Sequence, residues 1–147
     1  MMADISSKVL APKVALDFQD ISRRLKSCPL PSQIDGVVGI ATGGILPASL
    51  LAHQLDKPLE LLYINYRHED NRPRYDAPKL LRESPLSQAQ GLKLLLVDDV
   101  SVTGQSLKLA KTLLKGHHVM TLVLKGRADY IIYPEVSSCV WWPWKLS

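Results

Sequence analysis

Two neighbouring carboxylates, Asp98 and Asp99, are the residues of this chain best placed to do chemistry. They stand in the string Leu95-Leu96-Val97-Asp98-Asp99-Val100-Ser101-Val102-Thr103-Gly104-Gln105-Ser106. An apolar strand, Leu92 to Val97, delivers both acids to its carboxyl end; a short Thr/Gly/Ser loop follows, then a helix. In open α/β sheets ligands bind outside the carboxyl ends of the strands. The backbone N–H groups of such a loop, together with a helix N-terminus, make an anion site. Thr103 and Ser106 add hydroxyl donors, and Gly104 lets the backbone approach closely. Two carboxylates repel a phosphate, so their own partners are vicinal sugar hydroxyls or a divalent cation. The ligand drawn by this pattern is a sugar phosphate with a free diol. Taken singly, the acids could be solvated or capping residues and Thr103 an ordinary N-cap. The order of the whole string is what argues for a site. It is not a Walker loop, because no Lys follows a Gly in the required spacing, and it is not a dinucleotide fingerprint.

The elements that must position these groups can be read from the apolar pattern. The chain opens irregularly to about Lys13, and Val14 to Leu25 has mostly helical spacing, broken by Pro29, Pro31 and Ser32. Ile34 to Ala41 reads as a buried strand, bounded by Gly43 and Gly44. Pro47 opens a helix through about Leu55. Leu59 to Tyr66 is a second strand, and Leu92 to Val97 the third. Leu107 to Lys115 is a helix, Val119 to Leu124 a fourth strand, and Tyr130 to Tyr133 a fifth. Between Arg67 and Pro85 lies a long polar loop with Pro73, Pro78 and Pro85, and long loops in compact domains are usually functional or mobile. Strands alternating with helices predict an α/β fold: a mostly parallel, twisted sheet of about five strands with helices on both faces.

Composition narrows the function classes. The 147 residues predict one domain, 1–147, long enough to bury a core without staples. Apolar residues make up 46% and charged residues 22%, which excludes disordered and low-complexity classes. The net charge of +4 suits an anionic small molecule and is too small to argue for nucleic acid. Cys28 and Cys139 make no disulfide framework, which fits a reducing compartment such as the cytoplasm. His53, His68, His117 and His118 show no metal-ligand spacing. The N-terminus has no continuous apolar segment of the signal-peptide kind. The uncharged stretch from Gly36 to Gln54 is interrupted by Gly39, Gly43, Gly44 and Pro47, so it reads as strand, loop and helix rather than a membrane span.

The string Val97 to Ser106 resembles the phosphoribosyl pyrophosphate (PRPP) motif of type I phosphoribosyltransferases, in which apolar residues lead to two acids and a TGxS/T loop. The resemblance covers roughly Val37 to Trp144 and is strongest to the small xanthine/hypoxanthine/guanine branch. It implies the type I fold with a minimal hood built from the chain termini. It implies that Asp98 and Asp99 hold the ribose and, with PRPP bound, are candidate ligands of Mg²⁺. The loop Ser101, Val102, Thr103, Gly104, Gln105 and Ser106 would take the 5′-phosphate. Thr42, Gly43 and Gly44 resemble the family's pyrophosphate loop, and the segment with Tyr66, Arg67, Arg72 and Arg74 its flexible flap. Lys125 falls where the branch reads the purine 6-oxo group, Val140 where backbone contacts the base, and Cys139 at the stacking position, with Trp141 or Trp142 available to replace the missing aromatic ring.

Two positions depart from the family pattern. Thr42 stands where a basic residue is common, and Arg67, Arg72 or Arg74 could compensate. Val102 stands where the oxopurine branch has a third acid acting at the purine ring, and valine transfers no proton. The implied activity is transfer of a phosphoribosyl group from PRPP to a nucleobase, an oxopurine first, with release of pyrophosphate, in purine salvage. A homodimer is implied too. The competing reading is a non-catalytic PRPP or nucleotide sensor on the same fold. A receiver-like domain shares the acidic strand end but not the TGxS loop that follows it.

Overall fold

Three apolar runs build the centre of one sheet, and their burial on both faces explains why they lack polar alternation. The computed structural model describes residues 13–65, 79–80 and 90–145. In chain order the elements are β1 (Val14–Ala15), α1 (Phe18–Ser27), β2 (Gly36–Ala41), α2 (Ile45–Leu55), β3 (Leu59–Asn65), β4 (Lys79–Leu80), β5 (Lys93–Ser101), α3 (Gln105–Leu113), β6 (His118–Gly126), β7 (Tyr130–Ile131) and β8 (Val140–Trp141). The main sheet has the order β4-β3-β2-β5-β6-β7. Five strands are parallel, as the α/β alternation predicts, and the two-residue β4 pairs antiparallel with the end of β3. The order places β5, with its acids, between β2 and β6.

Helices cover both faces. On one, Ile21 and Leu25 of α1 and Ala48, Leu51 and Ala52 of α2 pack on Val37, Leu95, Val97, Leu122 and Leu124. On the other, Leu107 and Ala110 of α3, followed by Leu114, pack on Val38, Ile40, Leu62, Leu94, Leu96 and Val123. Alternate residues of β5 thus serve opposite cores, the pleat's period of two. No helix among the described residues is long and apolar enough to cross a membrane.

Several boundaries differ from the sequence pattern. The helical spacing from Val14 begins too early: Asp17 caps α1 by accepting the Asp20 N–H at 3.2 Å. Val14 and Ala15 instead pair in parallel with Val140 and Trp141 as a separate two-stranded sheet, which joins the two ends of the described chain. α2 and α3 each start two residues before Pro47 and Leu107, at turns ending in Gly44 and Gly104. β5 does not stop at Val97 but runs through both acids to Ser101, because β6 continues beside it: Val100 lies opposite Lys125 and Ser101 opposite Gly126.

Candidate active site

The carboxyl end of β5 puts its two acids on different sides of the sheet. By the pleat, Asp99 shares the face of Leu95 and Val97, toward the turn that precedes α2, and Asp98 shares the face of Leu94 and Leu96, toward α3. The carboxylate of Asp99 fills the space above the Gly43 Cα, where a Cβ would collide with it. Both acids also hold the chain locally. Asp98 Oδ1 accepts the Asp99 N–H at 2.8 Å, and Asp99 Oδ1 accepts the Val100 N–H at 2.7 Å. Both residues are buried.

The turn after β5 is built for close approach. Gly104 caps α3 with φ of 80°, a left-handed conformation that costs any residue with a Cβ, and open space lies above its Cα. Thr103 Oγ1 accepts the Gln105 N–H at 3.3 Å. Ser106 lies in the helix's first turn, where amides point outward at the helix's positive end. Ser101, assigned to the loop by sequence, is the last strand residue, and its buried Oγ has no hydrogen-bond partner among the described residues. Val102 is 75% exposed, an apolar side chain standing in solvent beside this turn.

The turn after β2 faces it across the β2–β5 crevice. The Ala41–Thr42 peptide is cis. Gly44 donates to Ile40 O at 2.7 Å, and Ile45 to Thr42 O at 3.1 Å, so the turn closes tightly onto α2. A Cβ on Gly44 would meet Val97 O at 2.5 Å, so only glycine lets this turn sit against β5. Asp99, on the strand that leads into one turn, touches the other at Gly43.

Burial and the neighbouring charge of Asp99 push the Asp98 carboxyl well above the usual carboxylate range. The ammonium of Lys145 stands 3.7 Å from Asp99 Oδ2, an ion pair with one end in solvent. No cluster of three or more potential metal ligands exists among the described residues. Two adjacent carboxylates on opposite faces of β5 do not make a resident cage for Mg²⁺.

The remaining sequence candidates are distributed as follows. Lys125 lies at the end of β6, partly buried, one strand away from the acids. Val140 and Trp141 form β8; Cys139 precedes them, exposed, its carbonyl accepting the Val14 N–H. Trp141 is 47% exposed, with the Lys13 ammonium 4.1 Å from its ring centre. Trp142 is not a base-stacking residue: it is buried in the α1–α2 core and stacks on Trp144 at 5.3 Å. Successive residues of an extended segment face opposite ways, so exposing Trp141 turns Trp142 inward. Tyr66, Arg67, Arg72 and Arg74 lie outside the described residues. Lys145 was not singled out by sequence, since no motif marks it. A shallow depression lined by Pro31, Gln33, Lys93, His118 and Met120 lies at the amino ends of β5 and β6, the wrong end of the sheet for this site.

The phosphoribosyl transferase domain model matches residues 7–131. The chain belongs to the phosphoribosyl transferase family. It is 35% identical over 98 residues to an orotate phosphoribosyltransferase of Sulfurisphaera tokodaii, covering 65% of this chain and 45% of that one. It is 30% identical over 120 residues to a xanthine-guanine phosphoribosyltransferase of Cereibacter sphaeroides, covering 76% and 69%. A transcriptional regulator, GfcR, of Methanococcus maripaludis is 32% identical over 102 residues, covering 65% and 48%. The chain thus spans about half the length of two of these relatives. Among solved structures, a purine phosphoribosyltransferase from Pyrococcus horikoshii superposes with a TM-score of 0.75 at 22% identity, covering 92% and 95% of the two chains, which supports the type I phosphoribosyltransferase fold.

Proposed function

We propose that this protein transfers the phosphoribosyl group of PRPP to a ring nitrogen of a nucleobase, an oxopurine such as xanthine, hypoxanthine or guanine in the first place, and releases pyrophosphate. The observation that carries the reading is the contact between the acid pair and the turn before α2: Asp99, the second of the two acids on β5, abuts Gly43. In this reading the amides of Thr103 to Ser106 hold the 5′-phosphate at the α3 N-terminus. Asp98 and Asp99 accept hydrogen bonds from the ribose hydroxyls, and the turn Thr42–Gly44 receives the pyrophosphate. Magnesium, bound with the substrate, neutralises the leaving pyrophosphate. The bond from C1′ to pyrophosphate oxygen breaks, the bond from C1′ to the ring nitrogen forms, and the nitrogen's proton leaves to solvent, because Val102 offers no acid or base. In the same reading Lys125, paired beside Val100 near the end of β6, meets the base, together with Cys139, Val140 and exposed Trp141 of the C-terminal segment. Work in purine salvage in the cytoplasm as a homodimer belongs to the same proposal.

A second reading, a PRPP or nucleotide sensor without turnover, is favoured by the missing side-chain chemistry at Thr42 and Val102 and by the similarity to a transcriptional regulator. One assay separates the two. Pyrophosphate release is measured with PRPP, Mg²⁺ and xanthine, hypoxanthine, guanine, adenine, uracil or orotate in turn, alongside thermal stabilisation by PRPP. Base-dependent release establishes the transferase and names the acceptor. Stabilisation without release for any base supports the sensor.

A further inference from the structure

The leaving group of the proposed reaction is a polyanion, yet neither turn of the site carries a cation. Thr42, Gly43 and Gly44 precede α2, and Val102, Thr103 and Gly104 precede α3, whose first residues are Gln105 and Ser106, without a Lys or Arg among them. The Asp99 carboxylate lies against the α2 turn at Gly43. Lys125 and Arg127 lie at and beyond the end of β6, on the far side of β5 from the α2 turn. Among the described residues, the cation that reaches the β2–β5 crevice comes instead from the end of the chain described. Lys145 Nζ is 3.7 Å from Asp99 Oδ2, and the Asp99 carboxylate rests on Gly43. At 3.7 Å the contact is Coulombic rather than a hydrogen bond, so the ammonium can exchange this partner for another anion.

The position is a built one. The Lys145 N–H donates to Trp142 O at 3.1 Å, closing a turn at Trp142 to Lys145. Trp142 is buried in the core and stacked on Trp144, so the turn is anchored on both sides of Pro143. The side chain is 58% exposed, leaving its ammonium free to swing over the crevice. Lysine is suited to this as a compact point charge on a flexible stem with three donors.

We propose that Lys145 is a substrate-binding residue of this site and that its ammonium passes from Asp99 to the pyrophosphate group of PRPP. This inference rests on the PRPP reading above. It assigns to the C-terminal turn the positive charge that the Thr42–Gly44 turn lacks.

The test compares two ligands that share ribose and 5′-phosphate and differ in the pyrophosphate. Titration calorimetry with PRPP and with ribose 5-phosphate, both with Mg²⁺, is run on the wild type, Lys145→Met and Lys145→Arg. Lys145→Met is expected to weaken PRPP binding about tenfold, the equivalent of about 1.4 kcal/mol, and ribose 5-phosphate binding less than about twofold. Lys145→Arg is expected to restore most of the PRPP affinity, which a merely structural role would not produce. Unchanged PRPP affinity in Lys145→Met overturns the inference and leaves the functional reading standing. Equal weakening for both ligands also overturns it, since the lysine would then only offset the charge of Asp99. Tighter PRPP binding overturns it in favour of a blocking contact. A wild type that binds neither ligand removes the functional reading itself, and this inference with it.

Discussion

Replacing Gly43 by alanine tests the contact on which the site is built. An added Cβ would lie 2.6 Å from Asp99 Cγ and closer still to its Oδ1, whereas ordinary contact begins at 3.4 Å, so the carboxylate must retreat by about 1 Å. It cannot do so freely, because its Oδ1 holds the Val100 N–H at 2.7 Å and the residue is buried. Overpacking of this kind costs about 1–3 kcal/mol of stability. Misplacing a positioning group by about 1 Å can cost on the order of 100-fold in function, so PRPP affinity should fall by between about 10- and 100-fold. Denaturant melts give the first number and titration calorimetry with PRPP and Mg²⁺ gives the second. Gly91→Ala is the control. Gly91 has φ of 73° with open space around it, so alanine there strains the backbone by roughly 1 kcal/mol without touching the site. It should lower stability and leave PRPP binding unchanged. A Gly43→Ala protein that binds PRPP within about twofold of the wild type would refute the idea that Asp99 and the α2 turn form one ligand site.

Two further outcomes follow from the ionisable groups. The Asp20 carboxyl accepts the Tyr133 O–H at 2.6 Å and contacts Arg23 and Arg24 at 2.9 and 3.2 Å, and the Tyr133 hydrogen bond first, then Arg23, holds it below its ordinary value. A depressed carboxyl adds stability above its unfolded pKa, near 3.9, and that stability is lost as pH falls through the lower folded value. The acid limb of the wild-type stability profile should therefore fall below about pH 4, and Asp20→Asn should flatten part of it. A remainder should persist, because the Arg24 hydrogen bond lowers Glu135 in the same way. An unchanged acid limb in Asp20→Asn would show that the network does not act through Asp20. Thiol labelling gives a second readout. Exposed Cys139 should react first and half-buried Cys28 more slowly, because burial raises the Cys28 thiol above its ordinary value. A bound nucleotide should slow labelling at Cys139 if the base reaches the terminal sheet; faster labelling of Cys28 in the free protein would contradict the burial argument.

Local pattern sufficed for the elements whose interactions are local. The apolar runs at β2, β5 and β6, the acid pair and the Thr103-Gly104 turn all lie within a few residues of the features that define them. Their order along the chain already implies a parallel sheet with ligands at the carboxyl ends of its strands. What the pattern could not supply depends on residues far apart in the chain. Whether β5 stops at Val97 or runs on to Ser101 is decided by the length of β6 beside it, where Lys125 and Gly126 take up the pairing. Val14 and Ala15 look helical by spacing, but Val140 and Trp141 pair with their backbone and make them a strand. The same pairing exposes Trp141 and buries Trp142, which local hydrophobicity does not distinguish. The contact of Asp99 with Gly43 and its ion pair with Lys145 arise only because the sheet order makes β2 and β5 neighbours and the final turn packs beside them. Residue types and short spacings determined which chemistry this protein could carry; the order of the strands and the packing of the chain's two ends decided which groups meet to carry it.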